Sequence, residues 1–145
     1  MSLDTDTREY LVALPEPVIV VTTKTQHLKT MATRSNIHFT DGDYLAANIY
    51  VHYDGYPQNR LPQLERFFYA VEHGTNDNRF SDPSYLAAKF IVWYSMQQPS
   101  TANSPLDFLG IGPVIQDAGD AEYIYKVDCS KRCPKGYPVV TYAKV

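Results

Sequence analysis

Residues 44–57 place the tightest constraint on the fold of this chain. Their side chains alternate between two faces: Leu45, Ala47, Ile49, Val51 and Tyr53 on one, and Tyr44, Ala46, Asn48, Tyr50 and His52 on the other. A period of two with β-branched and aromatic residues predicts a strand. The dipeptide Asp54-Gly55 then signals a turn, and Pro57 biases Tyr56 away from helix. We expect a core strand ending in a polar, aromatic loop.

Loops held on a rigid scaffold are frequent binding elements, so Asp54 and Tyr56 are candidate ligand-binding residues. The alternative is a plain turn whose tyrosines pack against the core.

A hairpin partner for this strand is predicted at residues 33–40, joined through Asp41-Gly42-Asp43. A two-residue Asp41-Gly42 loop would mix the apolar and polar faces, because a one-residue slip sends apolar side chains to the wrong side of the sheet. We therefore predict a three-residue loop. Its register pairs Phe39 with Leu45, Ile37 with Ala47, and Ser35 with Ile49.

Polar side chains gather on the second face of this predicted hairpin. They are Arg34, Asn36, His38, Asn48, Tyr50 and His52. An exposed sheet face is ordinarily polar, which is the simplest interpretation. None of the six, however, is a lysine or glutamate that serves only solubility. The face is therefore a candidate site for a ligand or a second subunit.

Two helices are predicted in the middle of the chain. Residues 61–73 carry one apolar stripe, with Pro62 in the first turn and Gly74 at the end. The second helix begins at Asp82, a favourable cap, and runs to about residue 98. Because its body is apolar nearly all round, we expect it to lie across the sheet or in an oligomer core.

The loop between the helices offers a further candidate site. Asn76, Asp77 and Arg79 supply polar groups and a cation that can meet an anion, although a simple helix–helix turn is the alternative. A helix of about 13 residues is about 20 Å long. This loop and the Asp54 loop are therefore expected at opposite ends of one subunit, to be joined only across an oligomer interface.

The last third of the chain predicts further strands, at residues 113–116, 121–128 and 137–144, the last two forming a hairpin. Strands, two helices and strands again predict an α+β fold, with an antiparallel sheet of two hairpins plus an extra strand, packed on two helices. We assign residues 31–145 to one domain, and residues 1–30 to an N-terminal extension with an edge strand at 18–23.

Cysteine usage and motifs exclude several kinds of chemistry. Cys129 and Cys133 are expected to be reduced thiols, a local disulfide and half of a metal site being the alternatives. No glycine-rich phosphate loop and no Gly-x-Ser-x-Gly motif occur, and no cofactor is predicted. His38, His52 and Asp54 leave open a small metal-dependent hydrolase.

Charge and hydropathy limit the partners. The net charge is −3 and no basic stripe is present, so nucleic acid is not an expected partner. The run Val18–Val21 is far shorter than the ~20 apolar residues that span a bilayer. Acidic residues near the start do not fit a signal peptide, and the chain is expected to be cytoplasmic.

Several segments carry a resemblance to a known family. They are Met31 to Ile37, His52 to Pro57, Asp82 to Lys89, and Pro105 to Gly110. In their order the chain resembles a family of small proteins encoded by phages and prophages, over about four fifths of its length. Members of the family often carry Trp where this chain has Tyr53. The resemblance implies a phage protein in the host cytoplasm rather than a particular reaction.

The function predicted from the sequence is therefore binding. We expect a non-catalytic phage accessory protein, a homo-oligomer, that binds a host protein or a small anionic, nucleotide-like ligand, because tyrosine-rich surfaces favour recognition. The metal-dependent hydrolase using His52 and Asp54, and a structural virion component, are the alternatives.

Overall fold

A computed structural model describes residues 33–97 and 110–145. The elements run in the order β1 (Ser35–Asp41), β2 (Tyr44–Val51), α1 (Pro57–Gly74), α2 (Pro83–Met96), β3 (Ile111–Pro113), β4 (Tyr123–Arg132) and β5 (Pro138–Lys144). The extension at 1–30 and its strand at 18–23 lie outside the described residues.

The fold is α+β, as predicted, with a five-stranded sheet in the order β3-β2-β1-β4-β5. The sheet is mixed, however, because β1 and β4 pair in parallel while the other neighbours are antiparallel. A parallel pair needs a long crossover, and the two helices provide it. Both predicted hairpins are antiparallel, and the β1–β4 pair is a parallel contact that the prediction did not include.

The first hairpin has a different register from the predicted one. Ile37 pairs with Ile49 and Phe39 with Ala47, and a bulge follows Phe39. The bulge absorbs one residue, so a two-residue turn is compatible with unmixed apolar and polar faces. The turn has Gly42 at its first position, with φ of 63°. The three-residue loop was wrong, but Ile37 and Ile49 do share a face.

Helix α1 begins earlier than predicted, at Pro57 rather than at residue 61. Pro57 occupies the first turn, where its missing N–H costs nothing, and Pro62 lies inside the helix. The start of α2 agrees with the prediction, because Asp82 Oδ1 accepts a hydrogen bond from the Tyr85 backbone N–H at 3.2 Å. No helix in the described residues is long and apolar enough to span a membrane.

The core lies between the helices and one face of the sheet, here called the inner face. Phe67 of α1 meets Phe90 of α2 edge to face, with centroids 5.1 Å apart. Both belong to one buried cluster with Ile37, Phe39 and Tyr125 of the sheet. The opposite, outer face carries no helix among the described elements, and it is where the polar residues of the first hairpin lie.

The extra strand, β3, lies at residues 111–113 rather than at the predicted 113–116. Pro113 cannot donate to a further ladder, and beyond it the chain leaves the sheet edge. Residues 114–120 then form a segment, here called the outer loop, that returns over the outer face. The hairpin of β4 and β5 agrees with the prediction.

Candidate functional site

The outer loop brings Asp117 onto the polar face of the first hairpin. Asp117 Oδ1 lies 2.6 Å from His38 Nε2 and accepts a hydrogen bond from Asn48 Nδ2 at 2.9 Å. Asn36 donates to Asn48 Oδ1 at 2.9 Å and accepts from the Ala118 N–H at 3.1 Å. Four side chains therefore form one continuous network, which we call the outer network: Asn36, His38, Asn48 and Asp117.

The outer network is largely buried, although the sheet pattern predicted an exposed face. Asn36 is fully buried and Asn48 nearly so, while His38 and Asp117 are partly exposed. Burial acts to raise the pKa of Asp117, but the hydrogen bonds from His38 and Asn48 outweigh it and leave that pKa below its usual range. The carboxylate is thus held charged against His38.

A second imidazole lies on the strand beside this network. The Tyr50 hydroxyl and His52 Nδ1 are 2.7 Å apart, which fixes the orientation of the His52 ring. Among the described residues, no hydrogen bond reaches His38 Nδ1 or His52 Nε2. Each histidine is therefore held through one ring nitrogen, and both rings are partly exposed.

Arg34 lies at the same side of the sheet. Its Nε is 3.1 Å from Asp120 Oδ2, a pair in which the carboxylate is mostly exposed. Lys126 is the neighbour of His38 across the β1–β4 pair. The face thus carries Arg34, Lys126 and two histidines, alongside the two carboxylates of the outer loop and Asp128, which interacts electrostatically with Lys126.

The Asp54 loop is organised by a residue that the sequence did not single out. Arg60 is fully buried in α1, and its guanidinium donates to the Tyr53 carbonyl at 2.7 Å and to Gln63. The Tyr125 hydroxyl donates to the Gly55 carbonyl. Gly55 also approaches closely, since an added Cβ would lie 2.9 Å from the Thr33 carbonyl oxygen. Hydrogen bonds from Arg60 and Tyr125 therefore hold this loop against the core.

Asp54 and Tyr56 themselves are not brought to the outer network. Asp54 is exposed with a φ of 57°, and Tyr56 packs edge to face against Tyr123 with centroids 5.7 Å apart. The geometry of Tyr56 matches the simpler interpretation of a packed tyrosine. Burial of Arg60 lowers its pKa, and the nearby hydroxyls and Asp54 oppose that effect.

The loop between the helices is self-contained. Arg79 Nε lies 3.3 Å from Asp77 Oδ2, and the Arg79 guanidinium stacks 4.4 Å above the Tyr85 ring. Asn76 is exposed. These three candidates follow α1, whereas Asp54 precedes it, and a helix of 18 residues is about 27 Å long. The structure therefore does not bring the two loops together within one chain.

The metal-dependent alternative needs a cluster of metal-binding side chains. Within 33–97 and 110–145, no group of three or more His, Cys, Asp or Glu side chains is placed to hold a metal ion. His38 is bound to Asp117 and His52 to Tyr50. The hydrolase using His52 and Asp54 stays a prediction, for which metal analysis of the purified protein is the test.

Asp117 and Asp120 are the site residues that the sequence analysis missed. They lie between the predicted strands at 113–116 and 121–128, and nothing in their local pattern indicates that this connection folds back over another strand. Comparison of the chain with protein-family models, with curated proteins and with solved structures gave no match.

Proposed function

We propose that this chain is a non-catalytic phage or prophage accessory protein that acts in the host cytoplasm. It binds a small anionic, nucleotide-like ligand on the outer face of its sheet. The observation that carries the proposal is the pair of oriented histidines, His38 and His52, each held through one ring nitrogen. Groups fixed before binding lose little freedom when a ligand arrives, which favours affinity.

The chemistry around the histidines fits such a ligand. Arg34 and Lys126 supply positive charge for a phosphate, and the ring of Tyr50 offers a surface on which a base can stack. The ion pair of Arg34 with Asp120 is partly exposed, and pairs of this kind contribute only about 0–1 kcal/mol. We expect a phosphate to compete with Asp120 for Arg34.

Isothermal titration calorimetry against a panel of cyclic mononucleotides and dinucleotides tests this function. We expect binding to one class in the panel, weakened about tenfold or more in His38→Ala and in Tyr50→Phe, which loses the hydroxyl that orients His52. Tyr69→Phe is the matched control, because Tyr69 is an exposed tyrosine on α1. Absence of heat across the panel would contradict the nucleotide-like ligand.

A protein partner is the second candidate, and an exposed apolar surface favours it. Tyr85, Val92 and Met96 are more than half exposed along α2, and all three line one open groove. Continuous apolar patches of this kind mark association surfaces. We propose that a second copy of the chain covers this face, which would make the protein a homo-oligomer.

Light scattering on the full chain tests the assembly. Val92→Glu is expected to lower the solution mass, while Ser84→Glu, an exposed polar position on the same helix, leaves it unchanged. A monomeric mass for the unmodified protein at high concentration would rule this interface out. Recovery of the chain in purified virions would favour the structural alternative.

A further inference from the structure

A cavity lies between α1 and the hairpin of β4 and β5, on the side of the sheet away from the outer network. Its volume is about 280 Å³, and Leu61, Phe68, Pro138 and Val140 supply apolar walls. An apolar cavity of about 150 Å³ is large enough to hold benzene, and it stays dry when empty. This cavity therefore has room for a larger apolar body, such as two fused rings.

The mouth of the cavity carries an excess of positive charge. Lys135 forms an ion pair with Glu65 there. Arg132 lies beside them and donates to the Cys129 carbonyl at 2.9 Å and to Ser81 Oγ at 2.7 Å. No carboxylate among the described residues pairs with Arg132. Among the residues that line the cavity, two cations thus face one carboxylate; Glu72 lies outside the lining and accepts a hydrogen bond from the Tyr137 hydroxyl at 3.1 Å.

We propose that this cavity is a second ligand site, which takes a small amphipathic anion. The apolar body of the ligand lies against Leu61, Phe68 and Val140, and its acidic head group meets Arg132 at the mouth. The site is independent of the function proposed for the outer face, since the two share no residue.

Cys133 provides a reporter inside this site. Its thiol is free and partly exposed, and the residue lines the cavity. Cys129, the other cysteine, is buried, and burial raises its pKa to about 12. Thiol reagents are therefore expected to modify Cys133 and to spare Cys129 in the folded protein.

Two fluorescent probes with the same ring system test the proposal. Anilinonaphthalene sulfonate carries a negative charge, and its parent N-phenylnaphthylamine is neutral. We expect the sulfonate to bind about fivefold more tightly at low salt, with the difference shrinking at high salt because the charges at the mouth are exposed. Bound sulfonate is also expected to slow alkylation of Cys133 by iodoacetamide in the full chain.

A matched pair of variants identifies the site. Cys133→Leu extends a larger side chain into the cavity and is expected to weaken binding of the sulfonate about tenfold or more, whereas Cys133→Ser leaves it within about twofold. Unchanged alkylation of Cys133 in the presence of saturating sulfonate would overturn the site without recourse to any variant. Equal affinity of the two probes would overturn the anionic head group. Loss of sulfonate binding in Val92→Ser, with Cys133→Leu unaffected, would place the probe on the exposed face of α2 instead.

Discussion

The inner face of the sheet is covered by α1 and α2 and is filled by aromatic rings. The outer face, within residues 33–97 and 110–145, is covered near β1 and β2 by a loop that contributes hydrogen bonds. Phe67 lies within 6 Å of three other ring centroids, those of Phe68, Phe90 and Trp93. Asn36 is buried to the same degree, but its neighbours are amides and a loop backbone. The inner face is thus buried by apolar packing, and the covered part of the outer face by hydrogen bonds.

This difference determines how tolerant each face is to change. Apolar packing loses stability roughly in proportion to the atoms removed and the cavity left behind. A hydrogen-bonded network instead depends on every partner being present, because a buried polar group left without one is costly. Substitutions on the two faces should therefore differ in how much unfolding free energy they cost and in how that cost depends on pH.

The largest effect is expected at the centre of the inner face. Phe67→Ala should destabilise the protein by about 3–5 kcal/mol, since it removes a fully buried ring and leaves a cavity. Urea denaturation measures the change. Tyr69→Ala, two positions away on the exposed side of α1, should cost less than about 0.5 kcal/mol. Similar losses in both variants would contradict the packing described here.

A smaller loss is expected for the anchor beneath the Asp54 loop. Arg60→Ala should cost about 2–3 kcal/mol, because the Tyr53 carbonyl loses its donor and a buried side chain is removed. Amide exchange in residues 53–56 should accelerate in the same variant. Arg66→Ala on the exposed side of the helix is the control and should change neither quantity.

On the outer face, Asn36→Ala should cost about 1–2 kcal/mol. The substitution leaves Asn48 Oδ1 and the Ala118 N–H without their partner in a buried setting. Thermal unfolding gives the magnitude. A stability equal to that of the unmodified protein would mean that the outer loop does not close over the face as described.

The smallest expected effect depends on pH. It distinguishes the outer face from the inner face most clearly. Because the pKa of Asp117 is lowered on folding, its charged form stabilises the protein above about pH 4, the usual pKa of an unfolded aspartate. That contribution is lost as the pH falls through the lowered value. Asp117→Asn should cost less than about 1 kcal/mol near pH 7, since the carboxylate is partly exposed and screened.

Measuring the free energy of unfolding as the pH is lowered checks the direction of this effect. The difference between Asp117→Asn and the unmodified protein should shrink below about pH 4, where the aspartate becomes neutral in the unfolded state and then in the folded one. Phe67→Ala should show no such convergence. A difference that grows on acidification would contradict the shift.

The inner face could be predicted from the sequence because its signals are local. Alternation places Ile37 and Ile49 on one face, and helical spacing places Phe67 and Phe68 toward the core. The register was missed because the extra residue of the bulge, Ala46 of β2, is not marked by the alternation of that strand, although it changes every pair between it and the turn. The parallel pairing of β1 with β4 depends on the path of the helices, which no local pattern specifies.

Only the strand residues of the outer network could be predicted from the sequence. Its strand residues were identified from their shared face, but Asp117 lies 79 positions from His38 along the chain. A turn signal is the same whether the turn projects into water or folds over a strand. Arg60 was missed for a related reason, since an arginine on a helix usually lies outside and its burial depends on the Tyr53 carbonyl above it.

The parallel contact of β1 with β4 also dictates when the sheet can be completed during synthesis. Ser35 aligns with Tyr123. One edge of β1 therefore stays unpaired until most of the chain has been synthesised. Until then that side presents open backbone donors and acceptors, which are prone to pair with other chains. A nascent or truncated chain that lacks the last hairpin is therefore expected to need protection from aggregation, and complete chains should fold slowly for their size.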